Sequence, residues 1–198
     1  MSVDNKHALR VFIAKGLFKK NAEAFIFADH ITHRGFIDDK STCDRNAFLA
    51  YLFAITSEKE IRYTGIEAYP IDSAIAQKLN YPQYLAFPEE QDIFLRMHME
   101  QTLSSDSFHF KKLSAYDQIP AHEKFDCIFF DAFAPGAQPE LWEQTVFDHL
   151  FTLTSEGGYL VTYCAQGEAR RRMEKAGYKV ERIPGPPGKR EMLRAVRE

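Results

Sequence analysis

The chain has 198 residues, 45% of them apolar and 17 of them Phe, which is enough for one domain with a full core and excludes disorder or a disulfide-built scaffold. Its three cysteines, Cys43, Cys127 and Cys164, are far apart and form no C-x-x-C pair, which points to a reducing compartment and away from structural zinc. The net charge of −3 is unevenly spread. Residues 166–198 carry ten Lys/Arg against five Asp/Glu, while the remainder carries 15 against 23. A basic C-terminal lobe on an acidic body can bind RNA, although a solvated basic helix face would account for the same charges.

No apolar run approaches the ~20 residues of a membrane span. The opening MSVDNKHALR has no apolar signal core, so a cytoplasmic protein without membrane contact is expected. In chain order, residues 8–20 space their apolar positions as one face of a helix. Residues 46–56 form a very apolar helix with Asn46 at its capping position. A strand runs from Ile61 to Glu67, and Pro70 starts a helix reaching about Leu79. Asp92–Leu103 is expected to be helical and Phe108–Leu113 to be a strand. The continuous apolar run from Phe125 marks a central strand buried on both faces, which stops at Asp131. Pro135 excludes further ladder pairing there.

Pro139–Leu153 is expected to be a helix, followed by a turn at Glu156-Gly157-Gly158 into the strand YLVTYCA. Gln166–Ala176 is a basic helix closed by Gly177. The last two strands, YKVERIP and REMLRAV, are separated by five residues. That spacing permits only an antiparallel hairpin, because a parallel return needs a crossover of a dozen or more residues. The layout is an α/β sheet finished by a C-terminal antiparallel hairpin, read as a single domain over residues 1–198.

In open α/β sheets, ligands sit beyond the C-terminal ends of the strands. Glu67 and Asp131 occupy two such ends. The first is placed to accept hydrogen bonds from the ribose hydroxyls of a nucleoside, and the second to face a reacting centre. The alternative reading of either carboxylate is a cap on the segment that follows it. In the loop AFAPGAQPELW, Phe133 is placed either to stack on a flat base or to pack inward. Trp142, the only Trp, sits with Phe147 and Leu150 and is expected in the core.

The segments FDAFAPGAQPELW and TYCAQGEARRRMEKAGYKVERIPGPPGKREML resemble the tRNA 5-aminomethyl-2-thiouridine methyltransferase family. That family includes one half of the bifunctional enzyme MnmC and standalone MnmD-type relatives. Asp131, Phe133, Pro135, Pro139, Trp142, Gly188, Lys189, Arg190, Glu191 and Met192 match its pattern in order and spacing. HALRVFIAKGL and YTGIEAYP are similar to its entry helix and its acidic second strand.

The resemblance implies a class I, Rossmann-like methyltransferase that uses S-adenosyl-L-methionine and no metal. It implies tRNA as partner, with the amine of a wobble 5-aminomethyl-(2-thio)uridine as acceptor. Asp131 is then the catalytic residue and, with Glu67, a cofactor contact. Phe133, Pro135, Lys189, Arg190 and Arg171 face the substrate tRNA, with the neighbouring arginines of Arg170–Arg172 as further phosphate contacts. The oligomeric state is left open.

The pattern departs from the family once. Where relatives carry a glycine-rich turn ahead of the second helix, this chain reads Lys40-Ser41-Thr42-Cys43-Asp44-Arg45-Asn46, so residues from about 26 to 45 are atypical. Glycines there let the backbone approach the methionine part of the donor. A relative that binds tRNA or a protein without transferring methyl groups is the alternative expectation. His30 and His33, with Asp29 and Asp38, lie in the same stretch at a spacing a metal can use. Without a third nearby His or Cys, they are expected to be incidental.

Overall fold

A computed structural model describes residues 10–15, 42–57, 59–68, 70–185 and 190–198. Among the described residues, eight strands form one sheet: β1 (Arg10–Lys15), β2 (Ile61–Glu67), β3 (Thr102–Ser104), β4 (Phe108–Leu113), β5 (Phe125–Phe130), β6 (Thr154–Thr162), β7 (Lys179–Pro184) and β8 (Glu191–Val196). Their order across the sheet is β3-β4-β2-β1-β5-β6-β8-β7. β2 pairs parallel with β4, and β5 parallel with β6. β7 and β8 form the expected antiparallel hairpin, attached through β8 to β6. The α/β architecture with a terminal hairpin is therefore present.

Four longer helices among the described residues cover the sheet: α1 (Thr42–Ser57), α2 (Gln91–Met99), α3 (Gln144–Leu153) and α4 (Gly167–Ala176). Side chains alternate between two cores, because successive strand residues point to opposite faces. On β5, Cys127 and Phe129 join Phe48, Tyr51, Tyr63 and Phe94 on the α1/α2 side. Ile128 and Phe130 join Trp142, Phe147, Leu150 and Met173 on the α3/α4 side, as does Phe125, where an irregularity in the pairing with β6 between Phe125 and Cys127 breaks the alternation. Both cores are aromatic, with Phe48 edge-on to Phe94 at 5.1 Å and Phe130 edge-on to Trp142 at 5.1 Å. The buried Lys112 closes the end of α2, its ammonium donating to the carbonyls of Met97 (2.6 Å) and His98 (2.8 Å).

Several sequence expectations need correction. Arg10–Lys15, expected as helix, is a strand and lies antiparallel between β2 and β5. Its apolar run Val11–Ala14 is too short for periodicity to separate helix from strand. The second helix begins at Thr42, so Asn46 is inside α1 and does not cap it. The helix expected from Pro70 shrinks to one turn, Ser73–Ala76. Its cap is Asp72, which accepts from the Ala74 amide at 2.7 Å.

α2 ends at Met99, where Glu100 turns extended, and Thr102–Leu103 belongs to β3. Pro139–Trp142 is a 3-10 turn separated from α3 by the extended Glu143. β6 starts early, at Thr154, and its irregular segment contains Gly157 at φ 73°. A side chain at the adjacent Gly158 would meet the Ser155 carbonyl at 2.9 Å. Gly177 closes α4 as expected. Its φ of 111° suits glycine, and the Tyr178 amide bonds back to the Met173 carbonyl at 3.1 Å.

Candidate active site and nucleic-acid surface

Sheet register brings the two sequence-selected carboxylates to one edge. Glu67 pairs with Arg10 of β1, and Phe130 pairs with Val11, so position 131 falls level with Arg10 on the other side. Glu67 and Asp131 therefore flank the same residue of β1. Their backbones are two strand spacings apart, roughly 10 Å. Glu67 is buried (3% exposed) and Asp131 is half-buried.

Neither carboxylate caps a helix among the described residues. The turn after Glu67 is capped by Asp72, and the 3-10 turn after Asp131 starts eight residues on, behind Gln138. A buried carboxylate at a strand end suits the hydroxyl pair of a nucleoside. The described residues thus fit the nucleoside half of a donor. On the methionine half, Thr42–Asn46 begins α1 instead of forming a glycine turn, and residues 16–41 lie outside the described residues.

The loop that follows Asp131 is fastened at consecutive carbonyls. The Tyr163 hydroxyl donates to the Ala132 carbonyl at 2.9 Å, and the Trp142 indole donates to the Phe133 carbonyl at 2.7 Å. Within the loop, the amides of Ala137 and Gln138 both donate to the Ala134 carbonyl. Trp142 is buried in the core as expected, packed against Phe130 and Phe147. Phe133 and Pro135 are half-buried, which leaves each with an exposed surface beside Asp131.

Tyr163 is a residue that sequence reasoning passed over. Phe129 pairs with Val161, so Tyr163 sits level with Asp131 on the next strand. Burial, and then the neighbouring Asp131 carboxylate, push its hydroxyl up to about 12, so it remains a donor at physiological pH. The only signal in the sequence was its place just past an apolar strand, which means nothing until the register is known.

Tyr163→Phe is expected to lower unfolding free energy by about 1 kcal/mol at neutral pH, measured by urea titration. The folded-state value is raised from 10 to about 12, so the stabilisation is complete below pH 10 and fades as pH climbs toward 12. The gap between wild type and variant should narrow over that window. A gap that stays constant to pH 12 would assign the stabilisation to something other than the hydroxyl.

Arg190 lies at the same edge as the carboxylates. β8 runs antiparallel to β6 with Leu193 opposite Thr162, so residues before Leu193 extend past the end of β6. Arg190 is exposed, whereas Lys189 and Gly188 fall outside the described residues. Arg171 is further away, along α4, exposed and paired with Glu168 at 2.6 Å. Arg170 pairs weakly with Glu174 at 3.8 Å. Arg172 is bound to Glu168 at 3.1 Å, and its guanidinium also donates to the Trp142 carbonyl.

His30, His33, Asp29 and Asp38 lie outside the described residues. Among the described residues, no cluster of three His, Cys, Asp or Glu is arranged to hold a metal. No described helix is long and apolar enough to cross a membrane.

Residues 76–198 match the model of an S-adenosyl-L-methionine-dependent methyltransferase family. The "tRNA 5-methylaminomethyl-2-thiouridine biosynthesis bifunctional protein MnmC" of Marinomonas sp. is 30% identical over 157 residues, 74% of this chain and 23% of that protein. The MnmC of Pseudomonas putida is 30% identical over 164 residues, 75% of this chain and 24% of its own length. The chain thus spans about a quarter of these relatives. The crystal structure of MNMC2 from Aquifex aeolicus superposes with a TM-score of 0.58 at 20% identity, over 75% of this chain and 47% of that one, a likeness of fold.

Proposed function

Because the chain belongs to this S-adenosyl-L-methionine-dependent methyltransferase family, we propose that it methylates the 5-aminomethyl group of wobble (2-thio)uridine in tRNA, giving the 5-methylaminomethyl product. The observation that carries the reading is the pair of carboxylates at one sheet edge, Glu67 buried and Asp131 half-exposed, beside a loop pinned at successive carbonyls. The relatives named for 5-methylaminomethyl-2-thiouridine biosynthesis supply the substrate.

S-adenosyl-L-methionine, when bound, supplies an electrophilic sulfonium methyl. Glu67 holds the ribose hydroxyls of the donor, and the inner side of Asp131 borders the same space. Asp131 accepts a hydrogen bond from the substrate amine and so aims the nitrogen lone pair at the methyl group. A free alkylamine is mostly protonated at neutral pH, so the site must admit its neutral form, and a proton is released over the reaction. Phe133 offers a flat surface for the uracil ring, with Pro135 restricting the loop behind it. Lys189, Arg190 and Arg171 meet phosphates, which positions the tRNA without reading its sequence.

One observation favours a second reading, a relative that binds tRNA without methylating it. Thr42–Asn46, which contains no glycine, forms the start of α1 where a donor-binding turn needs glycines. Calorimetric titration with S-adenosyl-L-methionine, followed by methylation of tRNA bearing 5-aminomethyluridine, separates the two. Micromolar donor binding with methyl transfer is expected. A folded protein that binds tRNA but not the donor would establish the second reading instead.

A further inference from the structure

Helical spacing collects a stripe of charge on one side of α4. Glu168, Arg171, Arg172 and Lys175 are separated by three, four and seven residues and so share a face. That face looks onto the start of α3, and the two helices enclose an open groove of about 500 Å³ lined by Glu143, Gln144, Thr145, Glu168, Arg171, Arg172 and Lys175.

The groove is fixed in shape. Glu168 holds Arg171 at 2.6 Å and Arg172 at 3.1 Å, and these two guanidinium groups keep its carboxyl below the usual range. The Gln144 amide crosses from α3 to donate to the Arg172 carbonyl at 3.1 Å. Arg172 in turn reaches the Trp142 carbonyl, while the Trp142 indole holds Phe133. Arg172 is therefore committed to the wall of the groove. Arg171 remains 65% exposed at the side chain and presents its outer donors to solvent.

We propose that this groove between α3 and α4 is a docking site for the sugar-phosphate backbone of RNA, with Arg171 and Lys175 as its phosphate contacts. The inference rests on the tRNA reading above and adds where the strand lies away from the reacting nucleotide. Arg171 and Lys175 are one helical turn apart, about 6 Å along the axis. The first amides of α3, at Gln144 and Thr145, face no intrahelical acceptor and add positive potential at the other wall. The carboxylates of Glu143 and Glu168 also line the groove. An RNA strand supplies partners for both kinds of group, phosphates for the cations and 2′-hydroxyl donors for the carboxylates, whereas the side chains of an acidic polypeptide bring no such donors. The Arg172–Trp142–Phe133 chain of bonds ties the docked strand mechanically to the loop beside Asp131.

The test measures equilibrium binding of an unmodified tRNA transcript as salt is varied. The variants are Arg171→Gln/Lys175→Gln and, as a control of equal charge change on exposed residues elsewhere, Lys78→Gln/Lys111→Gln. The groove variant should bind roughly tenfold more weakly, with a log–log salt slope shallower by about 1.8, while the control stays at wild type. Wild-type affinity and slope in the groove variant would remove the groove from the RNA path and leave the tRNA reading standing. Absence of RNA binding by the wild type would overturn both. Binding of polyglutamate that is as tight as that of tRNA and equally sensitive to the groove variant would assign the groove to an acidic protein partner instead.

Discussion

Asp131→Ala should reduce single-turnover methylation of 5-aminomethyluridine tRNA by about 100-fold or more, with donor affinity falling far less. The side chain stands at the end of β5, on a loop whose next two carbonyls are fastened by Tyr163 and Trp142. Truncation therefore removes the carboxylate without freeing the loop. Its proposed work is orientation of an amine lone pair, which matters at the transition state and little when the donor alone binds. Asp131→Asn keeps one acceptor oxygen and should fall between the two. Measurement pairs rapid-quench methylation with calorimetric donor titration. Full activity in the alanine variant would end the assignment. An equal fall in both quantities would make Asp131 a donor ligand alone.

How much of this edge was legible beforehand depended on the kind of signal. FDCIFF is a strand on its apolar run alone, and its burial on both faces follows from helices on either side. The β7–β8 hairpin follows from a loop too short for a crossover. α4 and its glycine stop follow from charge, period and Gly177. By contrast, RVFIAK carries only four consecutive apolar residues, and its placement between β2 and β5 is decided by pairing with partners about 50 and 115 residues away. No local pattern encodes an antiparallel strand in that slot. The break between Trp142 and α3 was hidden for a related reason: Glu143 is a good helix former locally, and it is the seating of Trp142 between Phe130 and Phe147 that turns the chain.

The site divides the same way. Glu67 and Asp131 were visible because strand ends are where α/β sheets place ligands. That they flank one residue of β1 is a fact of register, as is the level placement of Tyr163. The arginines show the limit of charge counting. Arg170, Arg171 and Arg172 are equivalent in a count, but one is paired with Glu174, one is exposed along the groove, and one braces the Trp142 carbonyl. Helical period separates their directions, and only tertiary contacts separate their duties.

Glu67→Gln should weaken S-adenosyl-L-methionine binding by about 10- to 100-fold, the worth of a charge-assisted hydrogen bond of about 1.5–3 kcal/mol. The thermal midpoint of the donor-free protein should change little, because the amide keeps an acceptor oxygen at nearly the same volume in a position only 3% exposed. A large loss of binding beside a small change in midpoint is the discriminating feature. A residue kept for the fold would lose stability on substitution and lose binding only as a consequence. The capping role that would predict such a loss is already filled by Asp72, whose carboxylate takes the Ala74 amide. Glu67→Gln with a lowered midpoint and unchanged donor affinity would reassign the residue to structure. In that case the donor's ribose would need a different acceptor at this edge, and Asp131, on the far side of Arg10, is the carboxylate placed to supply it.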